Sequence, residues 1–89
     1  MYFEWDEEKN RINKRKHGIS FEAATYVFYD PMRLEILDVR HSTDEERFIT
    51  IGYAERLLMV VYTVRTDKTR IISARLATEQ ERRAYESRL

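Results

Sequence analysis

The sequence of 89 residues contains no cysteine, one proline and two glycines. Without cysteine the chain has neither a disulfide framework nor a thiolate nucleophile, and it is compatible with a reducing compartment. With glycine only at Gly18 and Gly52, no glycine-rich loop can cradle a phosphate. The two histidines, His17 and His41, fall in different loops and form no i, i+4 pair, so no metal site and no cofactor are expected. Ser73 sits in a strand pattern rather than a Gly-x-Ser-x-Gly elbow, which argues against a serine triad. No apolar run approaches the roughly 18 residues of a membrane helix, and the acidic, aromatic start lacks the pattern of a secretory leader. A cytoplasmic protein with no membrane partner is the expectation. Net charge is also missing, with 16 basic residues against 16 acidic ones. That excludes a protein that coats nucleic acid by bulk positive charge and leaves room only for a local basic patch.

What is there is a polar globular composition, 43% hydrophobic and 36% charged. Its length predicts a single domain over residues 1–89. Tyr2-Phe3-Glu4-Trp5 alternates weakly, as a short edge strand would. Asp6 caps a helix that carries Glu7 and Glu8 in its first turn and ends on Lys14-Arg15-Lys16-His17 before Gly18. Ile12 is almost its only apolar residue, and Lys9, Asn13 and Lys16 share one side at helical spacing. Ser20 caps a second helix to about Tyr29, with Phe21, Ala24, Thr25 and Phe28 as its apolar stripe and Asp30-Pro31 as its stop. Four strands follow, over Leu34–Val39, Arg47–Tyr53, Leu57–Val64 and from Thr69 onward. Leu57–Val64 is apolar enough to lie centrally. Thr78 and Glu81 make a capping box that opens a last, polar helix with only Ala84, Tyr85 and Leu89 to bury. The fold class is therefore α+β: two N-terminal helices on a four-stranded antiparallel sheet, a possible short N-terminal edge strand, and a C-terminal helix.

Arginine is the residue with chemistry to offer. Arg65, Arg70 and Arg75 lie on two adjacent strands, with Arg47 on a third. A guanidinium in a strand is either a solvated edge residue or a fixed donor aimed at an anion. RNA cleavage can run on such groups alone. A base takes the proton of the 2′-hydroxyl, a cation holds the charge on the phosphorus oxygens, and an acid protonates the departing 5′-oxygen. Strand parity adds a constraint. Across a two- or four-residue turn Arg65 and Arg70 share a face, while Arg75 points to the other. A regular sheet then cannot present all four arginines together. His41 or Glu46 is the acid–base candidate, and Lys9, Lys16, His17 and Arg47 are candidates for contacting RNA. Each has a plainer alternative, a helix cap for His17 and a solvated surface for the others.

Several blocks together resemble a known family. Phe3-Glu4-Trp5-Asp6, Lys16-His17-Gly18-Ile19-Ser20-Phe21-Glu22, Asp30-Pro31, Glu46-Arg47-Phe48-Ile49-Thr50-Ile51-Gly52 and Arg70-Ile71-Ile72-Ser73-Ala74-Arg75 are similar to BrnT proteins, in order, over nearly the whole chain. The resemblance implies the toxin of a type II toxin–antitoxin system with a RelE-like fold. It also implies metal-independent ribonuclease activity that stops translation. The implied partner is a BrnA-like ribbon-helix-helix antitoxin, in a two-plus-two complex that represses its own operon and touches operator DNA only through the antitoxin. By analogy with RelE-type toxins, Arg65, Arg75 and Tyr85 become catalytic candidates, with Arg75 foremost. The alternative is a non-catalytic protein of the RelE/ParE fold, either a topoisomerase poison or an antitoxin-binding co-repressor.

Overall fold

Asp6, Ser20 and Thr78 each accept a backbone N–H at the start of a helix, from Lys9, Ala23 and Glu81 respectively. The computed structural model describes residues 1–89. In chain order these are β1 (Tyr2–Glu4), α1 (Glu7–His17), α2 (Phe21–Ala24), a 3₁₀ turn over Thr25–Tyr29, β2 (Leu34–Leu37), β3 (Phe48–Ala54), β4 (Arg56–Arg65), β5 (Lys68–Leu76) and α3 (Glu79–Glu86). Gly18 ends α1 in the left-handed conformation, at φ 72°, where glycine avoids the Cβ clash. The second helix is shorter than its apolar spacing suggests. After one α-turn it tightens through Thr25, Tyr26, Val27, Phe28 and Tyr29, branched and aromatic residues that lose side-chain freedom in an α-helix. The tighter period aligns Phe21, Ala24 and Val27, all fully buried, and so brings Val27 rather than Thr25 into the core.

The sheet has five strands in the order β1-β5-β4-β3-β2, not four. The pairs β2–β3, β3–β4 and β4–β5 are antiparallel. The N-terminal strand joins parallel to β5, with Glu4 beside Arg70, so the sheet is mixed. A parallel pair needs a long crossover, and everything between β1 and β5 supplies it.

On one face, Ile19, Phe21, Ala24, Val27 and Phe28 pack on Leu58, Val60, Tyr62, Ile71 and Ala74. Helix α1 reaches this layer through polar groups. Ile12 is exposed, while Asn10 and Asn13 are buried. Asn10 accepts the Phe21 N–H and donates to Glu22, both at 2.8 Å. Asn13 donates to the carbonyls of Ile19 (2.9 Å) and Ala74 (2.8 Å) and accepts the Ala74 N–H at 3.2 Å. β1 pairs only with Lys68–Arg70, so Asn13 serves as the missing neighbour for the edge of β5 beyond it.

The opposite face is covered at one end only. There Tyr85 of α3 packs with Ile51, Leu57 and Met59, at the end of β3 and the start of β4. Tyr85 donates its hydroxyl to Asp30 at 2.7 Å, and Asp30 also accepts the N–H groups of Tyr53 and Met32, each at 2.9 Å. Burial pushes the Asp30 carboxyl up, but these bonds outweigh it and leave the group below its usual value. Gly52 lies against this knot. A Cβ there would stand 2.9 Å from Val27 Cγ1, 3.1 Å from Arg33 Cβ and 3.2 Å from Asp30 Oδ2. Gly52→Ala is expected to cost about 1–3 kcal/mol by overpacking, read as a lower midpoint in urea with unchanged slope. An unchanged midpoint would show that the knot yields.

Candidate functional site

The β4–β5 register decides where the arginines go. Arg65 pairs with Lys68 across the two-residue turn Thr66-Asp67, Arg70 pairs with Thr63, and Ile71 with Tyr62. The next pair is Val61 with Ser73, then Met59 with Arg75. Ile72 is therefore an extra residue, a β-bulge that shifts the alternation by one. Because Thr63 and Met59 share a face of β4, Arg70 and Arg75 share a face too. Arg65, two residues from Thr63, belongs to the same side. Arg47 directly precedes Phe48, the partner of Tyr62, and alternation brings it there as well. The expectation from parity, that Arg70 and Arg75 point opposite ways, is overturned: it holds for a regular sheet, and Ile72 makes this one irregular.

The four guanidiniums differ in what already holds them. Arg75 is committed. Its Nη1 and Nη2 donate to both oxygens of Glu81 at 2.8 and 2.9 Å, and Nη1 also reaches the Leu76 carbonyl at 3.0 Å. Glu81 simultaneously closes the capping box with Thr78, so Arg75 clamps α3 to β5. Burial raises the Glu81 carboxyl, but the bonds from Arg75 and the Thr78 N–H hold it below the ordinary range. Arg65 grips Glu45 with a two-pronged contact, Nε at 3.1 Å and Nη2 at 2.9 Å. Arg70 has only a long contact to Glu4, 3.4 Å. Arg47 forms no ion pair. The hydrogen bond from Arg65 lowers the Glu45 carboxyl, and the charges of Arg65, Arg47 and Arg70 act in the same direction. Arg65 thus holds the Glu45 carboxylate directly, and Arg47 and Arg70, on the same face, act on it through charge alone.

The other candidates separate by environment. Tyr85 is buried, and burial together with its bond to Asp30 pushes its hydroxyl up to about 12. It anchors α3, with its hydroxyl engaged by Asp30 and away from the four arginines. His41 is exposed, with Nδ1 2.9 Å from the Asp38 carboxylate, which leaves Nε2 facing outward. Glu46 is exposed, and its backbone carbonyl accepts the Thr63 hydroxyl. Lys9, Lys16 and His17 are exposed on α1. Asn13, read with the lysines as one stripe, is instead buried against β5. No group of three or more His, Asp or Glu side chains could hold a metal ion.

This geometry can be set beside known proteins. The family described as "Ribonuclease toxin, BrnT, of type II toxin-antitoxin system" matches residues 5–81. The chain belongs to the BrnT family. Among solved structures, the crystal structure of the Brucella abortus ribonuclease toxin BrnT is similar in fold. It superposes with a TM-score of 0.67 at 23% identity, over 89% of this chain and 99% of that one. No curated protein matches the sequence. The family is one of ribonuclease toxins from type II toxin–antitoxin systems, which implies an antitoxin partner. No helix is long and apolar enough to cross a membrane.

In this BrnT-family chain the flank of α1 adjoins the same sheet edge. Asn10 points to α2 and Asn13 to the edge of β5. Lys9 and Lys16 lie about 40° and 60° further round from Asn13, at 3.6 residues per turn, on the side away from α2. The pairing of Glu4, Glu45 and Glu81 with the arginines is not legible in the sequence, where Glu81 reads only as half of the capping box. Glu45 sits in an acidic run whose register to β4 no local pattern reveals, and Glu4 meets Arg70 only through a parallel pairing 66 residues apart.

Proposed function

We propose that this protein is a metal-independent endoribonuclease toxin that cleaves RNA on the uncovered face of its sheet and thereby inhibits translation in the cytoplasm. The observation that carries the reading is the gathering of Arg47, Arg65, Arg70 and Arg75 on one face through the bulge at Ile72. In this reading the 2′-hydroxyl attacks the adjacent phosphorus, the bond to the 5′-oxygen breaks, and a 2′,3′-cyclic phosphate remains. Arg47, Arg65 and Arg70 hold the non-bridging oxygens as charge builds on them, fixed donors in place of mobile water. Arg75, held by Glu81, borders the site and keeps α3 seated. His41 moves the protons: the Asp38 carboxylate fixes the ring through Nδ1, and Nε2 is left to exchange one with RNA. Glu46, beside Arg47, is the second acid–base candidate. Lys9, Lys16 and His17 carry the flanking strand by charge alone. The antitoxin is of the ribbon-helix-helix, BrnA-like kind, in a two-plus-two complex that represses the operon.

The test is incubation of the purified protein with a defined RNA in excess EDTA. Fragments ending in 2′,3′-cyclic phosphate are the expected result. RNA that stays intact, with growth and translation unaffected on expression, would overturn the proposal.

A further inference from the structure

We propose that Glu45 is an internal stand-in for an RNA phosphate, and that Arg47, Arg65 and Arg70 form a phosphodiester-binding site which this carboxylate occupies until RNA displaces it. The inference rests on the proposed function and goes beyond it by naming what fills the site beforehand.

The fork geometry is the first support. Arg65 meets both Glu45 oxygens through Nε and Nη2, and a guanidinium makes the same paired contact with the two non-bridging oxygens of a phosphodiester. Each anion carries one negative charge, so the exchange is even in charge. The second support is the surplus of cations. Arg47 forms no ion pair, and Arg70 holds Glu4 only at 3.4 Å. Both nonetheless act on the Glu45 carboxyl through their charge.

The third is how the loop is built. Asp38 N–H donates to the Arg47 carbonyl at 2.8 Å. The Ser42 hydroxyl donates to the Asp38 carbonyl and accepts the Arg47 N–H. The Thr63 hydroxyl, itself buried, donates to the Glu46 carbonyl. Backbone on both sides of Glu45 is thus tied to the sheet, and Arg47 stays in place when Glu45 lets go. The carboxylate leaves by turning about its own side-chain bonds into solvent, since the Arg65–Glu45 pair is more than a third exposed on both sides. An exposed pair of this kind contributes little to folding, so its displacement does not unravel the loop.

The experiment is binding of a 2′-O-methyl oligoribonucleotide, which cannot be cleaved, to the full chain across a salt series. Glu45→Gln is expected to bind it about fivefold more tightly. The slope of log affinity against log salt should steepen by roughly 0.7, because the displaced wild-type carboxylate takes up a cation that offsets one released from the phosphate. Arg65→Ala in the Glu45→Gln background should abolish that gain. Asp44→Asn removes the same charge from the neighbouring residue, and an equal gain there would overturn the inference, because a general field rather than a shared site would explain both. Unchanged oligonucleotide affinity in a folded Glu45→Gln protein would overturn it as well, even where the wild type cleaves RNA. Conversely, a wild type that cuts no RNA but shows the expected affinity pattern would defeat the ribonuclease reading and leave the phosphate site standing.

Discussion

Arg70→Ala is expected to lower the rate of RNA cleavage by about 10²-fold or more and to leave the thermal midpoint nearly unchanged. The size is that of removing one fixed donor from a site where charge develops on oxygen. The small structural effect follows from what Arg70 does at rest. Its contact with Glu4 is long, 3.4 Å, and both side chains reach solvent, where such pairs contribute about 0–1 kcal/mol. Arg75 makes the contrast. Its two-pronged bond to Glu81 and its bond to the Leu76 carbonyl tie α3 to the sheet, so its removal acts through structure before chemistry. Single-turnover cleavage and a melting curve on the same preparation separate the two. A folded Arg70→Ala protein that cuts at the wild-type rate would take Arg70 out of the site and weaken the case for the whole face.

Asn13→Leu is the second large effect, on stability. Leucine fills the same space, so no cavity opens. What is lost is the partner of three backbone groups: the carbonyls of Ile19 and Ala74 and the Ala74 N–H. Asn13 is buried, and each buried group left without a partner costs about 1–3 kcal/mol. Three such groups total about 3–9 kcal/mol, a large share of the roughly 5–15 kcal/mol that holds a small domain folded. In a domain of this size that lowers the melting temperature by about 10 °C or more. A shift of a degree or two would mean that water takes over at the edge of β5.

The same residue shows where sequence reasoning stops. The caps at Asp6, Ser20 and Thr78, the apolar Leu57–Val64 strand and the arginine strands are local patterns, and all were readable. Asn13 was readable only as a polar position on a basic helix, because nothing local says that β5 lacks a neighbour there. The bulge at Ile72 is hidden for a similar reason. An extra residue in one strand is defined by the register of the other, and Ile71-Ile72 looks like any β-branched pair. Missing it gives the four arginines the wrong arrangement on the sheet. Tyr85 was legible as one of the few residues α3 has to bury, but its partners were not: Asp30 and the rim of β3 come from distant parts of the chain.

The parallel pairing of β1 with β5 has a consequence for how this protein is made. Phe3 and Glu4 find their partners at Thr69 and Arg70, and Asn13 meets Ala74 across 61 residues. Neither tie can form on a ribosome until β5 has left the exit tunnel, and contacts this distant in sequence form late. Before that point Arg70 is not yet present, α1 has no edge to dock on, and the three guanidiniums cannot meet. A chain abandoned part-way through synthesis thus lacks both ties, and the arginine-bearing face comes together only when nearly all of it has been translated.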